Sequence, residues 1–316
     1  MHDPRRRPEP SVMSFTLALC TYNRARLLAQ ALGSLAECRA PKADWEVLVV
    51  DNNSKDDTRA VADSFGGRLP LRYVFEPEQG LACARNRALS ECRRDTLLFT
   101  DDDLRFDRDW LQTYERTFAE HSSPGWFGGR IRPLWPDGPP RWLRDESMAL
   151  IAGLLVRYDL GSDDRRYSAA DPLPFGASFA VRRRAFERIG RFRTDLGVRG
   201  DVPGRGEEAE YLTRLVDAGF DGFYVGSSSA WHHQDPRRFR WPYLYRFGIQ
   251  KGIAEARTSS AATFAAGTLT REIGYGLKAL VQLLKGRGDR ARQCVINMGI
   301  ERGLRGAGTR GDVRVR

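Results

Sequence analysis

The chain has 316 residues, of which 41% are hydrophobic and 29% are charged, and its formal net charge is +10. This length and apolar content suit one large globular domain with an extension, and they exclude a globally disordered chain. The sequence contains no run of about 18 uncharged apolar residues, so it predicts no membrane-spanning helix.

The N-terminal residues differ from the rest of the chain. Residues 1–10 contain three arginines and three prolines but no apolar segment, which predicts a flexible basic arm over residues 1–13 rather than a secretory signal. The five cysteines are scattered without CxxC spacing, which predicts reduced thiols and a cytoplasmic protein.

The positive charge is concentrated at the other end of the chain. Residues 237–316 contain 17 Lys or Arg and 5 Asp or Glu, a net charge of +12. Leucines and aromatic residues alternate with arginines in 237–246 and 276–292, which favours an amphipathic surface that lies on an anionic membrane. A packed helical extension with a solvated basic face is the alternative. No nucleic-acid-binding motif is present, so no nucleic acid is expected as a partner.

The first hundred residues predict repeated βα units. Four apolar runs with β-branched residues, each of the first three followed by a polar turn and a helical pattern, indicate strands at 15–20, 45–50, 71–75 and 96–100. This alternation predicts an α/β fold with a mostly parallel sheet flanked by helices.

Polar clusters follow three of these strands, where ligands bind in such sheets. The clusters are 21–24, 51–54 and the triplet Asp101, Asp102 and Asp103. Asp101 and Asp103 are two residues apart at the end of a strand, so they point to the same side and can share one ligand. Mg²⁺ or Mn²⁺ held by carboxylates together with substrate phosphates suits this pattern. For the isolated triplet, a solvated acidic turn is the alternative.

The second half is less regular. Residues 126–174, rich in Gly, Pro and Trp, predict long loops with short strands. A strand at 175–181, helices at 183–189 and 207–218, and a strand at 222–225 that leads to Trp231, His232 and His233 follow. Beyond Pro236 the pattern is helical and basic.

Several linked motifs resemble those of bacterial family 2 glycosyltransferases over about residues 14–250. In order, they are Cys20-Thr21-Tyr22-Asn23-Arg24, Asp51-Asn52-Asn53-Ser54, Gly80-Leu81-Ala82 with Ala84-Arg85-Asn86, Asp101-Asp102-Asp103, Gly128-Gly129-Arg130, Pro174-Phe175-Gly176 and Gly206-Glu207-Glu208. The resemblance implies a GT-A-type nucleotide-diphospho-sugar transferase fold over 14–236, with a donor half (14–104) and an acceptor half (105–236). Residues 237–316 would form a basic helical C-terminal extension.

The resemblance also implies residue roles. The nucleotide-sugar-binding residues would be Thr21, Tyr22, Asn23, Arg24, Asp51, Asn53, Arg85 and Asp101. The metal ligands would be Asp103 and His232, although a structural histidine is the alternative for His232.

Glu208 is the predicted catalytic base. The family usually has an aspartate there, and glutamate adds one methylene, which alters the reach of the carboxylate. Alternatively, the acidic residues at 207, 208 and 210 only complement the positive end of a helix dipole.

The resemblance thus implies a metal-dependent inverting glycosyltransferase that uses a UDP- or GDP-sugar and a glycan or lipid-linked acceptor. Bacterial surface polysaccharide or glycolipid synthesis, on the inner face of the plasma membrane, would be its setting. One rival is a nucleotidyltransferase that makes sugar nucleotides, although such enzymes have a Gly-rich, Arg-containing loop where residues 20–23 stand. A catalytically inactive nucleotide-binding scaffold is the other, favoured by the glutamate at 208.

Overall fold

The computed structural model describes residues 13–143, 151–199, 204–258 and 268–308. Except for Met13, the predicted basic arm lies outside the described residues, as do residues 309–316 of the predicted extension. All five cysteines lie within the described residues, and none of them forms a disulfide.

The N-terminal half is built from four parallel strands in the order β3-β2-β1-β4, joined by helices. Its elements are β1 (Ser14–Thr21), α1 (Ala25–Glu37), β2 (Asp44–Asp51), α2 (Thr58–Ser64), β3 (Leu71–Phe75), α3 (Leu81–Glu91) and β4 (Thr96–Asp101). The four predicted strands are confirmed. β1, β2 and β4 are buried almost throughout, because helices cover both faces of the sheet.

The second half completes the sheet with a mixed set of strands. Its elements are β5 (Leu104–Phe106), α4 (Trp110–Glu120), β6 (Trp126–Leu134), α5 (Ala152–Leu155), β7 (Arg165–Arg166), β8 (Ser178–Arg182), α6 (Arg183–Ile189), α7 (Glu207–Asp217) and β9 (Gly222–His233). The full order is β3-β2-β1-β4-β8-β6-β9-β5, with β7 also paired to β9. β8 is antiparallel to both β4 and β6, whereas β6 and β9 are parallel.

β9 corrects one prediction from the sequence. The strand does not end at residue 225 but continues through His233, so both histidines lie on the strand rather than after it. The intervening residues are small and polar, a composition that obscures a strand. Ser228 and Ser229 are nevertheless buried, and they donate hydrogen bonds to Asp109 and Asp107 beside α4.

The C-terminal extension is helical, as predicted, over its described part. It contains a 3₁₀ turn, η1 (Pro236–Phe239), followed by α8 (Trp241–Thr258), α9 (Thr268–Leu284) and α10 (Gly288–Gly308). A small apolar core joins α8 and α10 to α5; it includes Leu143, Leu154, Leu155, Phe239, Leu244, Phe247 and Ile296. Of the described helices, none combines the length and the apolar content needed to cross a bilayer.

Glycines allow α8 and α10 to cross with their backbones in contact. A Cβ atom at Gly248 would lie 2.1 Å from the carbonyl oxygen of Ile296, and one at Gly303 would lie 2.2 Å from that of Ile249. Gly252 and Gly299 make equally close approaches. Such spacing of small residues is how two helices reach this separation.

Candidate active site

The polar residues that follow β1, β2 and β4 lie side by side, because these strands are parallel neighbours. The register pairs Thr21 with Asp51 and Cys20 with Asp101. A cavity of about 870 Å³ adjoins this edge of the sheet. Its lining joins residues that are far apart in the sequence, among them Arg24, Arg85, Asp101, Asp103, Arg205, Glu207, Glu208, His232 and Arg238.

The three aspartates occupy two environments. Asp101 and Asp103 line the cavity, as their alternation predicted. Asp102 is only 3% exposed and accepts hydrogen bonds from Thr21 Oγ1 and Arg24 Nη1, both at 2.7 Å. Arg24 also reaches Asp103 Oδ2 at 3.2 Å. Asp102 therefore fixes the turn after β1 against the end of β4.

Burial controls the ionisation of these carboxylates. It raises the pKa of Asp101 to about 7 and that of Asp102 to about 6. Burial also disfavours the charged form of Asp103, but the facing charges of His232, when protonated, and of Arg24 outweigh it and hold the pKa of Asp103 below its usual value. An added cation would favour the ionised form of all three.

One carboxylate oxygen at this edge of the sheet is suited to bind a cation. Asp103 Oδ1 is buried and accepts no hydrogen bond from the described residues, and His232 Nε2 lies 3.5 Å away. Burial lowers the pKa of His232 to about 4, so its ring is neutral at neutral pH. Within the described ranges, no three His, Cys, Asp or Glu side chains form a metal-binding group. A cation on Asp103 would therefore need phosphate or water oxygens as further ligands.

Gln234 bears on the tautomer of His232. The Gln234 amide nitrogen lies 2.9 Å from the Leu155 carbonyl oxygen and 3.0 Å from the His232 carbonyl oxygen, which orients the amide, and it lies 2.9 Å from His232 Nδ1. An NH₂ group that faces Nδ1 favours a proton on Nε2. In this tautomer His232 is a donor toward Asp103, and a metal-ligand role requires the other tautomer.

A buried arginine connects the aspartates to α7. Arg85 is 3% exposed, and its Nη1 lies 2.8 Å from Glu207 Oε1 and 3.8 Å from Glu208 Oε2. Its Nη2 lies 3.9 Å from Asp101 Oδ1. Gly176 leaves room for the guanidinium, because a Cβ atom there would lie 2.0 Å from Arg85 Nη2. Arg85, which the sequence predicted to contact the nucleotide, is thus surrounded by carboxylates.

The two glutamates that begin α7 differ in access. Glu207 is buried, and its burial, together with the charge of Glu208, raises the pKa of Glu207 to about 8. The Glu208 side chain is 22% exposed and lines the 870 Å³ cavity. It also lines a second cavity, of about 690 Å³, between α7, α8 and α10. Glu208 therefore stands at the boundary between two cavities.

A smaller pocket of about 430 Å³ lies at the ends of β1 and β4. Five predicted nucleotide-sugar-binding residues line it: Thr21, Tyr22, Asn23, Arg24 and Asp101. Asp51 and Asn53 instead shape the neighbouring turn. Asp51 accepts hydrogen bonds from the Ser54 backbone N–H at 2.9 Å and from the Tyr73 hydroxyl at 2.7 Å. Asn53 has φ +67° and donates to the Pro77 carbonyl at 3.3 Å.

The sequence prediction missed Asn52 as a pocket residue. Asn52 lines the 430 Å³ pocket, donates to the Glu78 carbonyl at 2.7 Å and accepts from the Gly80 backbone N–H at 2.8 Å. Its place in the Asp51–Ser54 motif was the available signal, but an asparagine there is also an ordinary turn former.

Two arginines on the cavity wall were also missed. Among the described residues, neither Arg205 nor Arg238 has a carboxylate within salt-bridge distance. Arg205 stacks on the Phe247 ring at 3.9 Å, and burial, with the charge of Arg238, lowers its pKa. Arg238 Nε is buried and makes no hydrogen bond to a described residue. Two guanidinium groups beside the aspartate edge, neither in a close ion pair with a described carboxylate, are suited to bind an anion.

The sequence profile of Glycosyl transferase family 2 matches residues 16–190, more than half of the chain. The chain belongs to glycosyltransferase family 2. The matched part spans β1 to α6 and includes the three aspartates. Glu208, His232 and the C-terminal helices lie beyond it.

This family 2 chain is similar to named relatives. It is 28% identical over 266 residues to the succinoglycan biosynthesis protein ExoM of Rhizobium meliloti, covering 83% of the chain and 77% of ExoM. It is 33% identical over 203 residues to the glycosyltransferase AglE of Haloferax volcanii, covering 63% of the chain and 60% of AglE. The protein is a glycosyltransferase.

Solved structures show the same fold. The mannosyltransferase PcManGT from Pyrobaculum calidifontis, in complex with GDP-Man and Mn²⁺, superposes with a TM-score of 0.60 at 21% identity, over 92% of this chain and 86% of that one. S. aureus TarS 1-349 in complex with UDP gives 0.56 at 16% identity, over 94% and 90%. The predicted GT-A fold is confirmed.

Proposed function

We propose that this family 2 enzyme is a metal-dependent inverting glycosyltransferase that moves a sugar from a UDP- or GDP-sugar to an acceptor hydroxyl. One observation carries the proposal. Glu208, Asp101 and Asp103 line one cavity, in which Arg85 lies 3.8 Å from Glu208 and 3.9 Å from Asp101. A candidate base and a candidate diphosphate site therefore face the same space.

The nucleoside of the donor would occupy the 430 Å³ pocket at the ends of β1 and β4. Backbone groups and the Asn23 amide can supply hydrogen-bond partners for a base, the Thr21 hydroxyl oxygen, which donates to Asp102, can still accept, and Asp101 can accept from a ribose hydroxyl. Asp51 and Asn53 would act through the turn that they stabilise. The UDP in TarS and the GDP-Man in PcManGT support a nucleotide donor for this fold.

The diphosphate would lie between Asp103 and the arginines Arg205 and Arg238, which line the same cavity. Guanidinium groups form charge-assisted hydrogen bonds to phosphoryl oxygens. Mg²⁺ or Mn²⁺ would be held by Asp103 and, in the tautomer with a free Nε2, by His232. When bound, such an ion neutralises charge on the departing nucleoside diphosphate.

Glu208 would remove the proton of the acceptor hydroxyl. The acceptor oxygen then bonds to the anomeric carbon while the bond from that carbon to the phosphate oxygen breaks, and the nucleoside diphosphate leaves with the electron pair. Attack from the side opposite the leaving group inverts the anomeric configuration. Glu208 suits this step because it is partly exposed to the cavity, whereas Glu207 is buried and paired with Arg85.

The acceptor would approach through the second cavity, of about 690 Å³, which meets the first at Glu208, Arg205, Phe175 and Gly153. Its walls come from α7, α8 and α10, so the extension would contribute to acceptor binding. The predicted division into a transferase domain (14–236) and an extension (237–316) would then cut through one binding site, because both segments would contribute to it.

We further propose a role in bacterial surface polysaccharide or glycolipid synthesis, on the cytoplasmic side of an anionic membrane. The name of ExoM places that relative in succinoglycan biosynthesis, which supports a glycan or lipid-linked acceptor. The net charge of +12 in residues 237–316 supports the membrane partner.

The Glu208→Gln variant tests the base. We expect it to lower turnover, measured as nucleoside diphosphate released from UDP- and GDP-sugars with glycan and lipid acceptors, by about 10²- to 10⁴-fold. Nucleotide binding by calorimetry should stay unchanged. Glu187→Gln is the control, because Glu187 is 59% exposed and, among the described residues, forms an ion pair only with Arg183 on its own helix.

Two outcomes would contradict the proposal. Undiminished turnover by Glu208→Gln would remove Glu208 as the base. A wild-type enzyme that binds nucleotides but turns over no donor would favour the inactive-scaffold alternative. The family assignment already disfavours the nucleotidyltransferase rival.

A further inference from the structure

Helix α9 exposes an apolar stripe. Seven of the eleven exposed large hydrophobic side chains among the described residues lie on this helix. Five of them follow each other at steps of four, four, three and four residues and so share one face: Leu269, Ile273, Leu277, Leu280 and Leu284, which are 55%, 57%, 62%, 56% and 81% exposed. A soluble monomer rarely presents so contiguous an apolar surface.

The rest of α9 packs against the other C-terminal helices. Ala279 is buried, and Arg271 pairs with Glu301 of α10 at 2.9 Å. Glu272, the one acidic residue of α9, pairs with Arg305 at 2.6 Å and accepts a hydrogen bond from the Tyr245 hydroxyl at 3.1 Å. The acidic residue of the helix is therefore turned toward α8 and α10.

Basic residues run alongside the apolar stripe. Lys278 and Lys285 are seven residues apart, which places them on one line of the helix, and both are exposed. Arg287 and Arg290 follow the end of the helix and are also exposed. An apolar face bordered by cations, with no acidic side chain on it, complements a surface that is apolar inside and negatively charged outside.

We infer that α9 docks on an anionic membrane, with its apolar stripe among the acyl chains and Lys278 and Lys285 at the lipid headgroups. A second copy of the chain fits less well, because pairing two α9 faces would bring like charges together without acidic partners. A single convex helix face also forms no groove for a folded protein, whereas a fluid lipid surface needs no matching shape.

This inference rests on the membrane association proposed above but not on glycosyl transfer. The sequence predicted a membrane-binding surface from two segments, 237–246 and 276–292, and the structure favours the second of them. In 237–246, Phe239 and Leu244 are buried in the core shared with α5 and α10, and the Trp241 ring lies 4.6 Å from the Arg292 guanidinium. The stripe on α9 is the larger exposed apolar surface.

The test uses the full chain and vesicles of phosphatidylcholine, with or without phosphatidylglycerol. We expect wild type to sediment with the anionic vesicles at low salt. The double variant Leu277→Glu, Leu280→Glu should bind them at least about tenfold more weakly. The double variant Lys278→Gln, Lys285→Gln should bind anionic vesicles with roughly tenfold lower affinity, and its binding should depend less on salt concentration. In Leu284→Trp, tryptophan fluorescence should shift to the blue on vesicle binding.

Val216→Glu is the matched control, since Val216 is 46% exposed on α7, away from the stripe. It should bind vesicles like wild type. Undiminished binding of the Leu277→Glu, Leu280→Glu variant would overturn the inference. The inference would also be overturned if wild type formed a dimer in sedimentation equilibrium, failed to bind vesicles, and became monomeric in the Leu277→Glu, Leu280→Glu variant. Neither result depends on turnover, so failure of the membrane surface and failure of the transferase reaction are separable.

Discussion

Two adjacent arginines of η1 line the 870 Å³ cavity but differ in their partners. Arg237 is 79% exposed and pairs with Asp235 at 2.7 Å, whereas the Nε of Arg238 is buried and makes no hydrogen bond to a described residue. A phosphoryl oxygen would satisfy that donor. The pair therefore separates a binding role from a general effect of positive charge.

Arg238→Gln should lower the affinity for UDP or GDP with Mn²⁺ by about 10- to 100-fold, as expected for a lost charge-assisted hydrogen bond. Affinity for uridine or guanosine, which lack phosphate, should stay unchanged. Arg237→Gln should bind all four like wild type. Calorimetry measures each affinity, and an equal loss for nucleoside and diphosphate would refute a phosphate contact.

The sequence predicted the aspartate edge well, because side-chain alternation and the strand order are local or repetitive signals. It predicted that Asp101 and Asp103 share a side, and they line one cavity. It could not predict the contact between Arg85 and Glu207, which are 122 residues apart. Nor did it single out Arg205 or Arg238, because arginine is frequent throughout this sequence and no local pattern separates an anion-binding arginine from a solvated one.

At the scale of elements, α8 and α10 can cross closely because glycines, which have no side chain, lie where the two helices meet. A Cβ atom at Gly252 would lie 2.1 Å from the Ile300 carbonyl oxygen and 3.0 Å from the Leu304 backbone nitrogen. Backbone atoms cannot rotate away, so the helices would have to separate. Gly274 of α9 is also helical, but no atom of the described residues lies within 4 Å of its Cβ position.

Gly252→Ala should therefore destabilise the protein by about 1–3 kcal/mol through overpacking, despite the better helix propensity of alanine. Gly274→Ala should stabilise it by up to about 1 kcal/mol, because only the propensity changes. Chemical unfolding measures both. If the two variants shifted stability in the same direction, close packing of α8 on α10 would not be what glycine provides.

Only the first part of strand β9 was predicted from the sequence. Its first residues are apolar and were recognised, but Gly226–Ser229 have the composition of a loop. In the pairing of β6 with β9, Gly129 aligns with Val225 and Arg130 aligns with Ser229, so residues 226–228 bulge out of the register and pairing resumes at Ser229. Pairing partners of this kind are distant in sequence, so the position of His232 within a strand followed only from the structure.

At the scale of the whole molecule, stability should respond to one buried proton. The pKa of Glu207, about 8, lies above its ordinary value of 4.5, so the folded state binds this proton more tightly than the unfolded state. The resulting stabilisation is complete below about pH 4.5 and is lost as the pH rises through about 8. A neutral amide at this position would not show this loss.

The free energy of unfolding of Glu207→Gln, relative to wild type, should therefore increase between about pH 5 and about pH 8. Thermal unfolding across this range measures the difference. The opposite trend, with wild type gaining on the variant as the pH rises, would mean that Arg85 keeps Glu207 ionised in the folded protein.

The parallel half of the sheet could be predicted from four apolar runs in regular alternation with helices. The mixed half could not, because β8 lies between β4 and β6 in the sheet although β5, α4, β6, α5 and β7 separate it from β4 in the chain. Insertion of a later strand beside an earlier one leaves no periodic trace in the sequence. The active-site cavity is lined by residues of both halves. The part of its lining that comes from the second half could therefore not be predicted from the sequence either.

Gly176 and Arg85 constrain each other across the site. A side chain at position 176 would occupy the space of the Arg85 guanidinium, whose nearest terminal nitrogen is 2.0 Å from the Cβ position. A side chain at position 176 clashes as long as Arg85 is present, so the glycine should be replaced only where the arginine has been replaced as well. Descendants of this chain that lose the glycine should be those that have also replaced the arginine with a smaller, uncharged residue.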